Sequence, residues 1–427
     1  MTLFLKDATY LDAGTLELRR GCLAVEPGPG GGVSLRDTPP PSAELGPGDR
    51  VIECGGRLVT RSFGCGHHHI YSTLARGMPP PPRSPESFVE VLELIWWRLD
   101  KRLDREMIEA SALAAAVHMA KLGVTFCIDH HASPFAVEGS LETIARAFDR
   151  VGIGHLLCYE ISCRDGRGVM EAGLAETDAY LSSGRRGHVG LHASFTVDDE
   201  LLARAVDLAR RHGTGIHIHV AEDPADQEHC LETYGKRVVR RLHDAGALES
   251  PCTILAHCVH LDADERRLVR ESPVWVVQNA ESNLNNNVGV TGYLDLGPNV
   301  MLGTDGMHSD MVRSAQAAFL VGQGTEGISP AQAYERFRAV HRFARAAGAG
   351  GEGDNDLVVL DYDTPTEVTP ENFAAHFVYG LDARHVHTVI SGGRVIVEDR
   401  RVTTVDEAEV LARAREEGLR LWKRLAG

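Results

Sequence analysis

The sequence predicts an α/β fold: a TIM-like (β/α)8 barrel with a small composite β-sandwich domain contributed by both termini. Eight short apolar runs follow residue 60, and helical patterns separate most of them, as βαβ units require. Four of the runs end in groups rich in metal-ligand residue types: His67-His68-His69, His219-Val220-Ala221-Glu222, Ala256-His257-Cys258-Val259-His260 and Gly303-Thr304-Asp305-Gly306. A barrel of this kind builds its active site at the carboxyl ends of its strands. The second domain is predicted because both ends of the chain alternate like strands and are cut by turn residues.

In chain order, residues 1–59 hold short strands at Leu3-Phe4-Leu5, Cys22-Leu23-Ala24-Val25 and Arg57-Leu58-Val59. Loops at Pro27–Gly32 and Pro39–Pro41 interrupt them. The barrel spans 60–355, with strands over 63–69, 123–129, 154–161, 188–194, 215–221, 253–258, 274–278 and 300–305. An insertion over about 72–103 follows the first strand and carries Pro79–Pro82 and Trp96-Trp97. It either overhangs the strand ends as a lid, which would put Trp97 against substrate, or packs its large residues onto the barrel. Ser84-Pro85-Glu86 predicts a helix start there, with a capping serine before a first-turn proline. A second helix begins near Asp104 and ends at Gly123. Residues 356–427 return to strands, with Asp356–Asp361 and a hairpin around Ser391-Gly392-Gly393, and complete the composite domain with 1–59.

A chain of 427 residues exceeds one ordinary core, which agrees with a barrel plus a smaller unit. The net charge of −16 speaks against nucleic-acid or anionic-membrane partners, which need a basic footprint. No apolar run approaches the ~20 residues of a membrane helix, and the first residues do not read as a signal peptide, so the cytoplasm is the expected location. Nine cysteines without a Cys-x-x-Cys pair read as buried reduced thiols.

His67 and His69 alternate onto one face of a strand, where two imidazoles can share a cation. His219 is the third candidate ligand; His217, deeper on the same face, supports it or fills the core. Asp305 ends an apolar run, where an unpaired carboxylate would be costly to bury. A cation or a salt bridge would each compensate it. Glu222 is placed to shuttle protons beside such a metal, and His257 to meet its water or the substrate. His192 either touches substrate or makes a structural hydrogen bond. Gln278 ends the seventh run and, with Asn279 after it, is placed to bind substrate; Asn279, Ser282 and Asn283 offer polar groups at the mouth, or form a polar turn. His130-His131 is equally ambiguous. The Asn285–Asn287 run reads as loop chemistry.

These motifs resemble the amidohydrolase superfamily, in its cytosine-deaminase-like or chlorohydrolase-deaminase branch, and most of all the SsnA-type aminohydrolases. The resemblance spans nearly the whole chain. It rests on His67–Tyr71, Gly123-Val124-Thr125, Asp129–Pro134, Gly190–Phe195, His217–Glu222, Ala256–His260 and Leu302–Gly306. It implies one divalent metal, zinc or iron, held by His67, His69, His219 and Asp305, with Glu222, His257 and Asp305 catalytic. Binuclear relatives use a carbamylated lysine on the fourth strand, where 188–194 has none, so a single metal is implied. Arg61-Ser62 replaces the family's Pro-Gly, and Gln278-Asn279-Ala280 replaces its His-Asn-Pro. The expected activity is hydrolytic deamination of an aminated purine, pyrimidine, pterin or triazine. Displacement of chloride, an alkylamine or a cyclic amide is the alternative. The expected partners are a small heterocycle and further copies of the chain in a homo-oligomer.

Overall fold

The computed structural model describes residues 2–28, 31–348 and 353–426; Pro29 and Gly30 of the expected loop lie outside them. The first strands are β1 (Leu3–Leu11), β2 (Leu18–Val25), β3 (Val33–Arg36), β4 (Arg50–Glu53) and β5 (Leu58–Arg61). Eight follow in the central part: β6 (Phe63–His68), β7 (Val124–His131), β8 (Gly154–Tyr159), β9 (Val189–Ala193), β10 (Ile216–Val220), β11 (Ile254–His257), β12 (Trp275–Gln278) and β13 (Val300–Leu302). The last are β14 (Leu357–Leu360), β15 (Val386–Ser391), β16 (Arg394–Glu398) and β17 (Arg401–Val402).

The eight central strands fall where the apolar runs predict. They pair in parallel and in sequence order, as sheets β6-β7-β8 and β9-β10-β11-β12-β13. Parallel bridges join the two sheets at both edges: Leu157 to Gly187 and Ile161 to Leu191 on one side, His68 to Asp305 on the other. Nearly every residue of these strands is buried, which explains their continuous apolar character. At their amino ends Phe126, Leu156, Ile254 and Trp275 pack on Val340 and Phe343 of the helix Pro330–Ala346. That helix fills one end of the strand array. The histidines crowd the other.

Both termini enter one connected nine-stranded sheet, in the order β17-β16-β15-β14-β5-β1-β2-β3. It forks at β1, whose Leu3–Lys6 half pairs with β4 and whose Thr9-Tyr10 half pairs with β5. The N- and C-terminal parts meet where β5 runs antiparallel to β14. Leu5, Leu23, Val59, Leu357 and Ile390 form its separate apolar core. Gly392 and Gly393 turn the β15–β16 hairpin with φ of 55° and 75°, a left-handed pair that glycine adopts without strain. The nine cysteines are free thiols; Cys163 and Cys252 are only partly buried.

One helix start differs from expectation. Ser87 rather than Ser84 caps the helix at Phe88, its Oγ accepting from the Glu90 amide at 3.3 Å. Glu90 turns back to bind the Glu86 amide at 2.7 Å and the Arg83 guanidinium at 2.7 Å through Nη1. That fold-back holds 83–86 outside the helix, an arrangement that depends on a carboxylate beyond the Ser-Pro-Glu signature. The helix then widens into a π-helical turn over Leu92–Trp96. The helix over Arg105–Lys121 has Asp104 as its cap, as predicted. Among the described residues no helix is long and apolar enough to cross a membrane.

Gly190 marks a tight seam between β8 and β9: its carbonyl accepts from the Ile161 amide at 3.2 Å, and a Cβ there would collide with the Tyr159 carbonyl. Gly190→Ala is expected to lower the unfolding free energy by about 1–3 kcal/mol. Urea denaturation measures this, and an unchanged midpoint and slope would contradict the tight seam.

Candidate active site

Four ligating atoms converge at the carboxyl ends of β6, β10 and β13. His67, His69, His219 and Asp305 offer nitrogen and oxygen atoms all within 4.8 Å of one another. Asp305 Oδ1 lies 3.0 Å from His69 Nε2 and 3.6 Å from His67 Nε2, and the His69 and His219 Nε2 atoms are 3.2 Å apart. Backbone carbonyls fix two of the rings. His69 Nδ1 donates to His130 O at 2.6 Å, and His219 Nδ1 to His192 O at 2.7 Å. With the proton on Nδ1, each Nε2 turns a lone pair inward. His67 Nδ1 pairs with His217 Nε2 at 2.9 Å, so His217 backs a ligand candidate rather than filling core alone. His67 Nε2 is buried with no hydrogen-bond partner. An orphaned inward nitrogen beside a carboxylate is the donor set a divalent cation satisfies.

Electrostatics follow from burial and this crowding. Burial pushes the His67 imidazole down to about 3 and His219 well below its usual range. For His69 burial pulls the same way, but the Asp305 carboxylate outweighs it and raises the ring to about 9. For Asp305 burial favours protonation, yet the His67 and His69 rings beside its carboxylate hold it well below the usual carboxylate range. Ser282 Oγ donates to Asp305 Oδ2.

Glu222 and His257 flank this cluster. Their Oε2 and Nε2 are 3.4 Å apart, and His257 Nε2 lies 3.8 Å from Asp305 Oδ2. Burial raises Glu222 to about 7; His257 opposes that shift and Asp305 adds to it. Asn283 Oδ1 holds His257 Nδ1 at 2.8 Å, which leaves Nε2 directed at the two carboxylates. Ala221, His257 and Asp305 all adopt left-handed backbone, with φ of 46°, 71° and 53°. Such strain at three strand ends aims the side chains inward, at a cost of order 1–3 kcal/mol each.

A cavity opens over these groups. Tyr71, Phe88, Trp96, Trp97 and Phe195 contribute its aromatic walls, and His192 its side. The Trp97 and His192 rings are 5.9 Å apart, and His192 Nδ1 also bonds Thr196 Oγ1 at 2.7 Å. The tryptophan pair therefore faces the cavity as well as packing the insertion. Gln278 and Asn279 are not among the cavity-lining groups: Gln278 Oε1 accepts from Arg336 at 3.0 Å, and Asn279 is buried against Gly303. Ser282 and Asn283 lie on a short helix, Ala280–Asn285, and orient Asp305 and His257. Asn286, expected to be loop chemistry, reaches Glu222 Oε1 at 3.4 Å. His130 is structural, its Nε2 on the carbonyls of Leu191 and His217. Glu160 went unnoticed in the sequence. It lines the cavity, and burial, which favours its protonation, is outweighed by His192, His130 and Arg164, which hold it ionised. Nothing local to Tyr159-Glu160-Ile161 signals this.

A sequence model described as "Amidohydrolase family" matches residues 59–396. A 5-methylthioadenosine/S-adenosylhomocysteine deaminase of Syntrophomonas wolfei is 29% identical, over 95% of this chain and 95% of that one. A protein of the same name from Pelotomaculum thermopropionicum is 32% identical, over 88% of each chain. The crystal structure of an adenosine deaminase from Xanthomonas campestris with bound zinc shares the fold, with a TM-score of 0.82 at 20% identity, over 98% of each chain.

The converging donors predict stoichiometric binding of a divalent cation. Ser282→Ala removes a donor to Asp305 and is expected to weaken zinc affinity about 10–100-fold. Competition with a chromogenic chelator measures it, and undiminished affinity would show that Ser282 does not support the carboxylate.

Proposed function

The chain belongs to the amidohydrolase family, and from that premise we propose that it is a metal-dependent hydrolytic deaminase of an aminated nitrogen heterocycle. Adenosine-type purines are the first class to test, because the relatives above carry that activity in their names. The observation that carries the reading is the convergence of His67, His69, His219 and Asp305 beside Glu222 and His257, under an aromatic cavity.

The same reading takes the eight parallel strands as a closed (β/α)8 barrel over 60–355, and residues 1–59 with 356–427 as a composite β-sandwich domain. His67, His69, His219 and Asp305 would hold one divalent cation, zinc first and iron second. His192 and Trp97 would contact the substrate. Gln278 and Asn279, assigned to substrate by sequence, fit better as support for the strand ends. The enzyme is proposed as a cytoplasmic homo-oligomer.

A cation held there supplies a nucleophilic water at neutral pH by lowering its pKa toward ~7. The chain's own groups do the rest. Glu222, raised to about 7 by burial, carries a proton within reach of a ring nitrogen of the heterocycle. Protonation there makes the amidine carbon electrophilic. Asp305 Oδ2 accepts the proton that the attacking water gives up. His257 Nε2 hydrogen-bonds the incoming oxygen and orients it. In the resulting tetrahedral adduct Asp305 returns its proton to the exocyclic amine, and Glu222 takes the hydroxyl proton as the C–N bond breaks. Ammonia leaves, the ring carbon becomes a carbonyl, and both carboxyl groups are reset.

Metal-replete protein is expected to release ammonia from at least one member of a panel of aminated purines, pyrimidines, pterins and triazines. Chelation should end that activity and added zinc restore it. Release of chloride or a ring-opened product without ammonia would move the reading to another leaving group. Glu222→Gln is expected to lower kcat about 10²–10⁴-fold with metal content unchanged, as removal of a general acid does. Full activity in that variant would remove Glu222 from the mechanism.

A further inference from the structure

Glu160 follows the end of β8 and takes no part in the steps above, yet it faces the reacting centre. Its carboxylate lies within 4.8 Å of ring nitrogens of His192 and His219. Oε2 sits 3.2 Å from His130 Nδ1. Oε1 has a guanidinium nitrogen of Arg164 at 3.9 Å, beyond hydrogen-bond reach, so it retains acceptor capacity toward the cavity. Arg164 itself is engaged by Asp100 and Asp165, and stands behind the Trp97 ring at 5.1 Å. Asp223 and Asp226 add two further carboxylates to the cavity wall, besides Glu222 and Asp305. Among the described residues that line this cavity, none is lysine or arginine.

Carboxylates set among aromatic rings are the surroundings that attract cations and hydrogen-bond donors and repel anions. We infer that Glu160 is a charge-selecting substrate contact. The cavity takes a heterocycle whose remaining substituent presents a hydrogen-bond donor or a positive charge to this carboxylate, and it rejects an anionic one. The inference rests on the deaminase reading above and adds the class of substituent to it. One unit charge a few ångströms from a carboxylate at an intermediate dielectric changes sign between cation and anion, which corresponds to a discrimination of at least about 30-fold.

Three adenine nucleosides that differ only at the 5′ position test this: 5′-amino-5′-deoxyadenosine, 5′-deoxyadenosine and adenosine 5′-carboxylate. Ammonia release gives kcat/KM, and quenching of tryptophan fluorescence gives binding independently of turnover. The expected order is cation at or above neutral, with the anion at least about 30-fold below the cation. In Glu160→Gln, which keeps the shape of the side chain, that ratio should collapse, chiefly through KM, with the metal content near wild type. A purely structural Glu160 would lower all three nucleosides together and leave their ratio intact, and that result overturns the inference. Equal kcat/KM for anion and cation in the wild type overturns it as well. Charge-ordered binding without ammonia would refute the deaminase reading and leave the selection standing. Ammonia without a charge order would do the reverse, and no binding by any of the three would overturn both for adenine nucleosides.

Discussion

Three imidazoles and a carboxylate each bring a ligating atom within 4.8 Å of the others, and much of the surrounding structure serves to make that tolerable. Unsupported, such a cluster would disperse or protonate, since buried polar groups without partners are costly. Here the outer nitrogens are tied down: His69 and His219 to backbone carbonyls, His67 to His217. The His67 carbonyl in turn accepts from the Thr304 and Asp305 amides, each at 3.1 Å, so one ligand candidate positions the backbone of another. The same amides join the first and last of the eight strands. The contact between the first and last strands and the geometry of the cluster therefore rest on the same residues.

The parts legible in the sequence are the parts written locally. Eight apolar runs stand out because strands buried on both faces need an unbroken apolar stretch, and the structure places strands in all eight. The ligand candidates stand out because histidines and an aspartate at the ends of such runs break the pattern. What could not be read depends on partners distant in sequence. Glu160 acquires its role from His130, His192 and Arg164, and Arg164 from Asp100, 64 residues away. Gln278 reads as a mouth residue until Arg336, 58 residues on, claims its amide oxygen. Ser282 and Asn283 have turn composition but form a helical turn, because the site supplies partners for both side chains. Ser84 resembles a cap more than Ser87 does, and only the fold-back of Glu90 decides between them.

The aromatic wall is held from outside. Arg98, next to Trp97, donates to the Leu425 carbonyl at 2.9 Å, and Arg102 to that of Arg424 at 3.2 Å. Both carbonyls end the helix Glu407–Ala426, whose last turn carries orphan acceptors. Trp422 of the same helix donates to Leu74 O at 2.8 Å, just past the His67–His69 strand. Chain that follows the composite sheet thus sets the position of residues over the reacting centre. A π-helical turn at Leu92–Trp96 is the kind of irregularity such clamping sustains.

The helix Pro330–Ala346 has a consequence for traffic. Val340 and Phe343 stop the strand array at its amino ends, where Val340 packs so close to Gly64 that a single added carbon would collide with it. Among the described residues that end of the strand array is packed shut, so the site opens at the other. Whatever reacts at the bottom departs through the opening by which it arrived, past Trp96 and Trp97, and the next molecule waits for that departure.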